Sequence, residues 1–280
     1  MQIIVDIAEM QSLAGSFRSE GKTIGFVPTM GFLHEGHLSL MHRARGECDI
    51  AIVSIFVNPA QFGPMEDFER YPRDEQGDRR KCESAGVDIL FMPGAAAMYP
   101  DGPSVFVTVE GISDTLEGAG RPGHFRGVAT VVSKFFNIVR PHKAFFGQKD
   151  YQQCAVIRRM AEGLNMDVEV VVLPTVREPD GLAMSSRNSY LNPVERRAAT
   201  VISQALFAAE RQARAGVKDP EKLKEVMRDV LRMEKAVSID YLELADPGTL
   251  MPLAGPRDKM VILIAVRLGR TRLIDNLLVL

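Results

Sequence analysis

The stretch Val27-Pro28-Thr29-Met30-Gly31-Phe32-Leu33-His34-Glu35-Gly36-His37, followed by Leu38-Ser39-Leu40-Met41, carries the most information in this chain. Thr23 to Thr29 is apolar and β-branched, and Pro28 and Gly31 read as the stop of a strand. Leu38, Met41 and Ala44 or Arg45 then fall at helical spacing, so a helix is expected to open near Gly36. Two histidines therefore sit where a parallel strand hands over to a helix. Unpaired backbone N–H groups and the positive end of the helix dipole favour an anion there. Imidazoles add hydrogen-bond donors and can take a proton near neutral pH, so the stretch reads as a phosphate cradle. A zinc-protease helix needs its two histidines one turn apart, which this spacing does not supply, and no second Cys/His cluster completes a zinc site.

Outward from this stretch the pattern alternates. A helix is expected over 6–20, strands over 49–57 and 88–92, and an edge strand over 104–109. Helices follow at 128–139 and 151–163, with strands at 144–146 and 168–173. This predicts an α/β fold, a Rossmann-like doubly wound parallel sheet over residues 1–175, with ligands outside the carboxyl ends of its strands. The polar loops at 29–37, 57–64 and 147–153 fall at that edge. After Thr175 the character changes: a long helix over 193–216, a second to about Lys235, and strands 238–245, 260–268 and 271–278 with a hairpin at Gly269-Arg270. Residues 176–280 are therefore expected to form a smaller α+β domain, a lid.

Composition narrows the class. The 280 residues are 46% hydrophobic and 25% charged with a net charge of −2, which argues against nucleic acid as a partner. No apolar run is long enough for a membrane span, and the N-terminus lacks the regions of a signal peptide. Cys48, Cys82 and Cys154 are widely spaced without a CxxC pair, which points to a reducing compartment and a cytoplasmic location. Two motifs fail. Gly15 to Thr23 has one residue too many for a P-loop and precedes a strand. Gly118-Ala119-Gly120-Arg121-Pro122-Gly123 fits the dinucleotide fingerprint but lacks a strand-to-helix frame, and is expected to be a mobile loop.

Three further constellations point to chemistry. Gly147-Gln148-Lys149-Asp150 places a Lys at a strand-to-helix turn, where it can neutralise phosphate charge. Met184-Ser185-Ser186-Arg187-Asn188 offers hydroxyls and a guanidinium to phosphate oxygens. Gln61 and Gln153 suit a small hydroxy acid and its carboxylate.

With these segments assembled, the chain resembles the pantoate–β-alanine ligases, within the wider HxGH nucleotidyltransferase superfamily. The resemblance is carried by Pro28 to Leu38, Phe56-Val57-Asn58-Pro59 with Gln61-Phe62-Gly63-Pro64, and Tyr71-Pro72-Arg73. It continues through Gly123 to Thr130, Lys149 to Gln153, and Asp180-Gly181 through Asn188. It implies ATP-dependent condensation of (R)-pantoate with β-alanine to pantothenate, AMP and pyrophosphate, through a pantoyl-adenylate. By the same resemblance the ATP site comprises Met30, Gly31, Phe32, Leu33, His34, Glu35, Gly36 and His37 with Gly147, Gln148, Lys149, Asp150, Val176, Met184, Ser185, Ser186 and Arg187. His37, His34 and Lys149 would be catalytic, with His37 as proton donor to the departing pyrophosphate. Gln61 and Gln153 would hold pantoate, Gln61 also lying near β-alanine. Mg2+ would bridge the phosphates, no side chain being a firm metal ligand, and the protein would be a homodimer. Phe32 stands where a small residue is frequent in the family, and Gln148 where Glu is frequent. Two rival readings are a nucleotidyltransferase that stops at AMP transfer and a catalytically silent nucleotide sensor.

Overall fold

The computed structural model describes residues 1–64 and 66–279. The chain divides into two compact units: Met1–Gly147 with Gln152–Pro174, and Gln148–Tyr151 with Thr175–Leu280.

In the first unit the chain runs β1 (Gln2–Ile4), α1 (Ile7–Ser19), β2 (Ile24–Thr29), α2 (Glu35–Glu47), β3 (Ile50–Ile55), α3 (Glu75–Ser84) and β4 (Ile89–Phe91). It continues through the short helices α4 (Ala95–Met98) and α5 (Glu117–Gly120) to α6 (His124–Val139), β5 (Lys143–Gly147), α7 (Tyr151–Gly163) and β6 (Glu169–Leu173). The six strands form one sheet in the order β1-β4-β3-β2-β5-β6, every pair parallel. Alternate side chains feed opposite faces. Ile24 and Phe26 pack with Met10, Phe135 and Ile157 on one side, while Val27, Val53 and Phe145 pack with Leu40, Met41 and Cys82 on the other. Both faces are covered by helices, which makes the sheet doubly wound.

The strand order reverses between β2 and β5, the place where such sheets bind ligands. These two strands pair only through Gly25 and Phe26. They part before Pro28, which has no N–H for a ladder.

The second unit contains α8 (Pro193–Ala198), α9 (Val201–Arg214) and α10 (Pro220–Arg232) against an antiparallel sheet of β7 (Val237–Ala245), β8 (Met260–Leu268) and β9 (Thr271–Val279), in that order. Leu206, Leu223 and Met227 meet Leu244, Ile262 and Ile264 in its core. Among the described residues no helix is long and apolar enough to cross a membrane.

Three local expectations need correction, and one strand was not anticipated. The expected strand over 104–109 is irregular: Val107 donates its N–H to the Thr130 hydroxyl of α6 at 3.0 Å instead of to a neighbouring strand. The single helix over 193–216 breaks at Ala199-Thr200, where Thr200 and Ile202 donate to carbonyls three residues back. The 118–123 segment is not a loose loop. Glu117–Gly120 is a helical turn, the Glu117 N–H bonds Gln152, and Arg121 is fastened to Glu66 by two hydrogen bonds. β1 is too short to show a period, yet Ile4 is buried and the strand extends the sheet past β4.

Candidate active site

Between β2 and α2 the backbone takes two left-handed residues in succession, Gly31 (φ 82°) and Phe32 (φ 49°). Gly31 has a further reason to be glycine, since a Cβ there would meet Asp78 Oδ2 at 2.9 Å. Asp78, buried on α3, accepts the N–H of Phe32 at 2.8 Å and of Leu33 at 2.7 Å. Burial pushes the Asp78 carboxyl above its ordinary value, against the pull of those two N–H groups. One turn further along α3, Lys81 Nζ donates to the Leu33 carbonyl at 2.7 Å. The loop that delivers the histidines is thus clamped from α3, and the N–H groups of Phe32 and Leu33 point at a carboxylate.

The helix then starts on an unusual cap. His34 is the N-cap of α2, and its Nδ1 accepts the Gly36 N–H at 3.2 Å; His37 Nδ1 accepts the His34 N–H, also at 3.2 Å. Each imidazole takes the place that Ser and Glu hold in an ordinary capping box. A ring nitrogen that accepts an N–H carries no proton, so both neutral rings bear theirs on Nε2. The rings lie 4.1 Å apart between centroids, tilted by 41°. The cap fixes the orientation of two Nε2–H donors at the N-terminus of a 13-residue helix.

Gln61 stands on the turn after β3, buried, with its Nε2 against the Met30 sulfur at 3.0 Å. The candidate for the acid therefore adjoins the first residue of the phosphate loop. Asn58 donates to Gln61 Oε1 at 3.1 Å and to the Gly127 carbonyl at 3.1 Å, and accepts the Tyr99 hydroxyl at 2.9 Å. Gly127 is obligatory at this crossing, because a Cβ would lie 2.2 Å from the Ala60 carbonyl oxygen. His124 holds the Gln61 backbone, its Nδ1 lying 2.9 Å from the Gln61 carbonyl and its Nε2 3.0 Å from Arg121 Nη1. Nδ1–H therefore donates to the carbonyl while Nε2 accepts from the guanidinium, the tautomer opposite to that of the capping pair. Burial, reinforced by Arg121, lowers the His124 pKa to about 4. Gln153, half-buried on α7, belongs to the same unit.

In the second unit, Lys149 and Ser185 line one cavity with Ala183, Asn188 and Asp275. The Lys149 ammonium lies 3.5 Å from Asp150 Oδ1. Ser185 caps the turn Ser186–Tyr190 by accepting the Arg187 N–H at 3.3 Å. Val176 and Met184 close the small hairpin before it, the Met184 N–H donating to the Val176 carbonyl at 3.0 Å.

The sequence profile described as Pantoate-beta-alanine ligase matches residues 2–278. The chain belongs to the pantoate–β-alanine ligase family. It is 54% identical over 279 residues to the pantothenate synthetase of Heliobacterium modesticaldum, covering all of this chain and 99% of that protein. The pantothenate synthetase of Thermotoga neapolitana is 54% identical over 276 residues, with 99% of each covered. The crystal structure of the Thermus thermophilus enzyme superposes with a TM-score of 0.95 at 47% identity, covering 99% of both chains. That of the Francisella tularensis pantoate–β-alanine ligase, complexed with βγ-ATP and β-alanine, superposes with a TM-score of 0.83 at 35% identity, covering 99% of this chain and 97% of that one.

This ligase therefore carries His34 and His37 as the cap of α2, with Gln61 beside Met30. Sequence reasoning passed over Asp78, Asn58 and His124 as individual residues. The last two stood inside quoted motifs. Asp78 gave a weaker signal, an acid one turn before Cys82 on the buried side of α3. Asp275 and Asn276, buried in β9, were visible only as a polar pair interrupting an apolar strand.

Proposed function

We propose that this pantoate–β-alanine ligase activates pantoate as an acyl-adenylate. A pantoate carboxylate oxygen attacks the α-phosphorus of ATP, the bond from that phosphorus to the bridging oxygen breaks, and pyrophosphate leaves with the electron pair. The β-alanine amine then attacks the acyl carbon, loses a proton, and AMP departs. The observation that carries this reading is the double-histidine cap on α2 at the switch point of the sheet, which suits a triphosphate and needs no nucleophilic side chain.

His34 and His37 offer Nε2–H donors to the phosphates. Full proton transfer from His37 would require the imidazolium, whose Nδ1–H would confront the His34 N–H and break the cap. Hydrogen-bond donation to the leaving pyrophosphate keeps it. Lys149 supplies positive charge, and Ser185, Ser186 and Arg187 supply further donors to the nucleotide, with Gln148, Asp150, Val176 and Met184 beside them. Gln61 and Gln153 bind pantoate. Lys, His and hydroxyl groups are phosphate donors, and among the described residues no cluster of three or more His, Cys, Asp or Glu is placed to hold a metal. By the resemblance, Mg2+ would arrive on the ATP phosphates and offset their charge. The resemblance also supports a homodimer, to be read by sedimentation.

Pantoate labelled with heavy oxygen in its carboxylate tests the route. Label transferred to AMP is expected. AMP without label would reject attack by the carboxylate on the α-phosphorus.

A further inference from the structure

Lys149 sits on a short turn (Gln148–Asp150) that leaves β5 and reaches α7. A turn this brief has little structure of its own with which to aim a flexible ammonium. Its backbone is held from elsewhere. Asn276, buried on β9, donates its Nδ2 hydrogens to the Gln148 carbonyl at 2.9 Å and the Lys149 carbonyl at 2.8 Å. Its Oδ1 accepts Gln148 Nε2 at 3.1 Å, so the amide is engaged on every side facing the turn. Asn276 is itself fixed. The preceding Asp275 accepts the Asn276 N–H at 2.8 Å and takes the Arg177 guanidinium in a bidentate pair at 2.6 and 3.1 Å. The same guanidinium bonds the Gly181 carbonyl at 3.1 Å, inside the hairpin that leads to Ser185. Asp275 also lines the cavity that Lys149 and Ser185 share. A polar pair this costly to bury needs compensation: Asn276 finds it in the Gln148-Lys149 turn, and Asp275 in Arg177 and the Asn276 N–H.

We propose that Asn276 is a positioning residue for adenylation, acting through Lys149 by fixing the carbonyls of the Gln148-Lys149 turn. This rests on the assignment of Lys149 to the triphosphate. An amide that donates two hydrogens to consecutive carbonyls sets the direction in which the Lys149 side chain leaves the backbone. The aim of the ammonium is then determined by a strand 127 residues away in sequence.

The test is a double-mutant cycle on the full-length enzyme, following pyrophosphate release with ATP and pantoate. Asn276→Ala is expected to slow adenylation about tenfold or more, but by less than about twofold when Lys149 is already Ala, because a residue acting through Lys149 has nothing left to lose. Asn276→Ser keeps one donor and should fall between wild type and Asn276→Ala, which secures the test if the alanine variant folds poorly. The same loss in both backgrounds would mark a general structural role and overturn the proposal. So would a normal rate for Asn276→Ala beside a slow Lys149→Ala, with the reading of Lys149 intact. A normal rate for Lys149→Ala would remove that reading and the anchor with it.

Discussion

The loop 30–37 and the turn 148–150 deliver cationic or donor side chains in different ways. The histidine rings each cap a backbone N–H two or three residues away, and the bend before them borrows Asp78 and Lys81 from α3. The Lys149 ammonium meets its neighbour Asp150 at 3.5 Å, and the backbone of its turn hangs on Asn276. The difference follows from the side chains. An imidazole is short and rigid and can serve as cap and donor at once through its two nitrogens. An ammonium on a four-carbon stem has only donors and must be aimed by the backbone beneath it.

The largest effects should come from removing the two kinds of donor themselves. His37→Ala and Lys149→Ala are each expected to slow adenylation by about a hundredfold or more, the scale seen when one preorganised donor to a developing charge is lost. Unfolding by urea should stay close to wild type for Lys149→Ala, and should weaken by about 1 kcal/mol for His37→Ala because the α2 cap goes with it. A folded variant with near-normal adenylation would strip that residue of its role.

Next comes the contrast between the capping histidines and His124. His124 is neutral in the folded protein, with its pKa lowered to about 4 by burial, whereas an unfolded histidine titrates near its ordinary value of 6.5. As pH falls below that value the unfolded chain takes up a proton that the folded chain refuses. Stability is therefore full above about pH 6.5 and declines toward pH 4, by about 3 kcal/mol for this group alone. His124→Asn should flatten that part of the profile in urea titrations at pH 7 and pH 4.5. An unchanged slope would mean that other groups set the acid limb.

Asp78→Ala tests the carboxylate that α3 lends to the histidine loop. Two buried N–H groups lose their acceptor, so a loss of about 2 kcal/mol in stability is expected, together with slower adenylation. Activity that survives at full rate would show that the cap needs no help from Asp78. The smallest effect belongs to Phe32, a non-glycine residue at φ 49°. Phe32→Gly removes left-handed strain of about 1 kcal/mol and should raise the unfolding midpoint slightly; a fall would mean that the phenyl ring contributes more than the backbone strains.

Much of the fold was legible because the strands are buried on both faces and the helices between them are amphipathic. β2, β3, β8, β9 and α7 lie within a residue or two of where the pattern puts them. The failures share a cause. In 104–109 an alternating apolar pattern is satisfied by a helix and a threonine instead of a strand, and at Ala199-Thr200 a continuous helical pattern hides a change of hydrogen-bonding partner. Periodicity reports which side chains are buried and is silent about where the backbone groups find partners.

The candidate site divides along the same line. Spacing within a few residues determined the histidine pair at a strand-to-helix turn, the lysine turn and the serine–arginine strip, because each is a local arrangement. Only the tertiary structure decided which nitrogen of His124 bears its proton, that Asp78 occupies the N–H groups of Phe32 and Leu33, and that Asn276 holds the lysine turn. Those outcomes depend on hydrogen bonds between residues that are up to 128 positions apart, and a linear pattern carries no record of such partners.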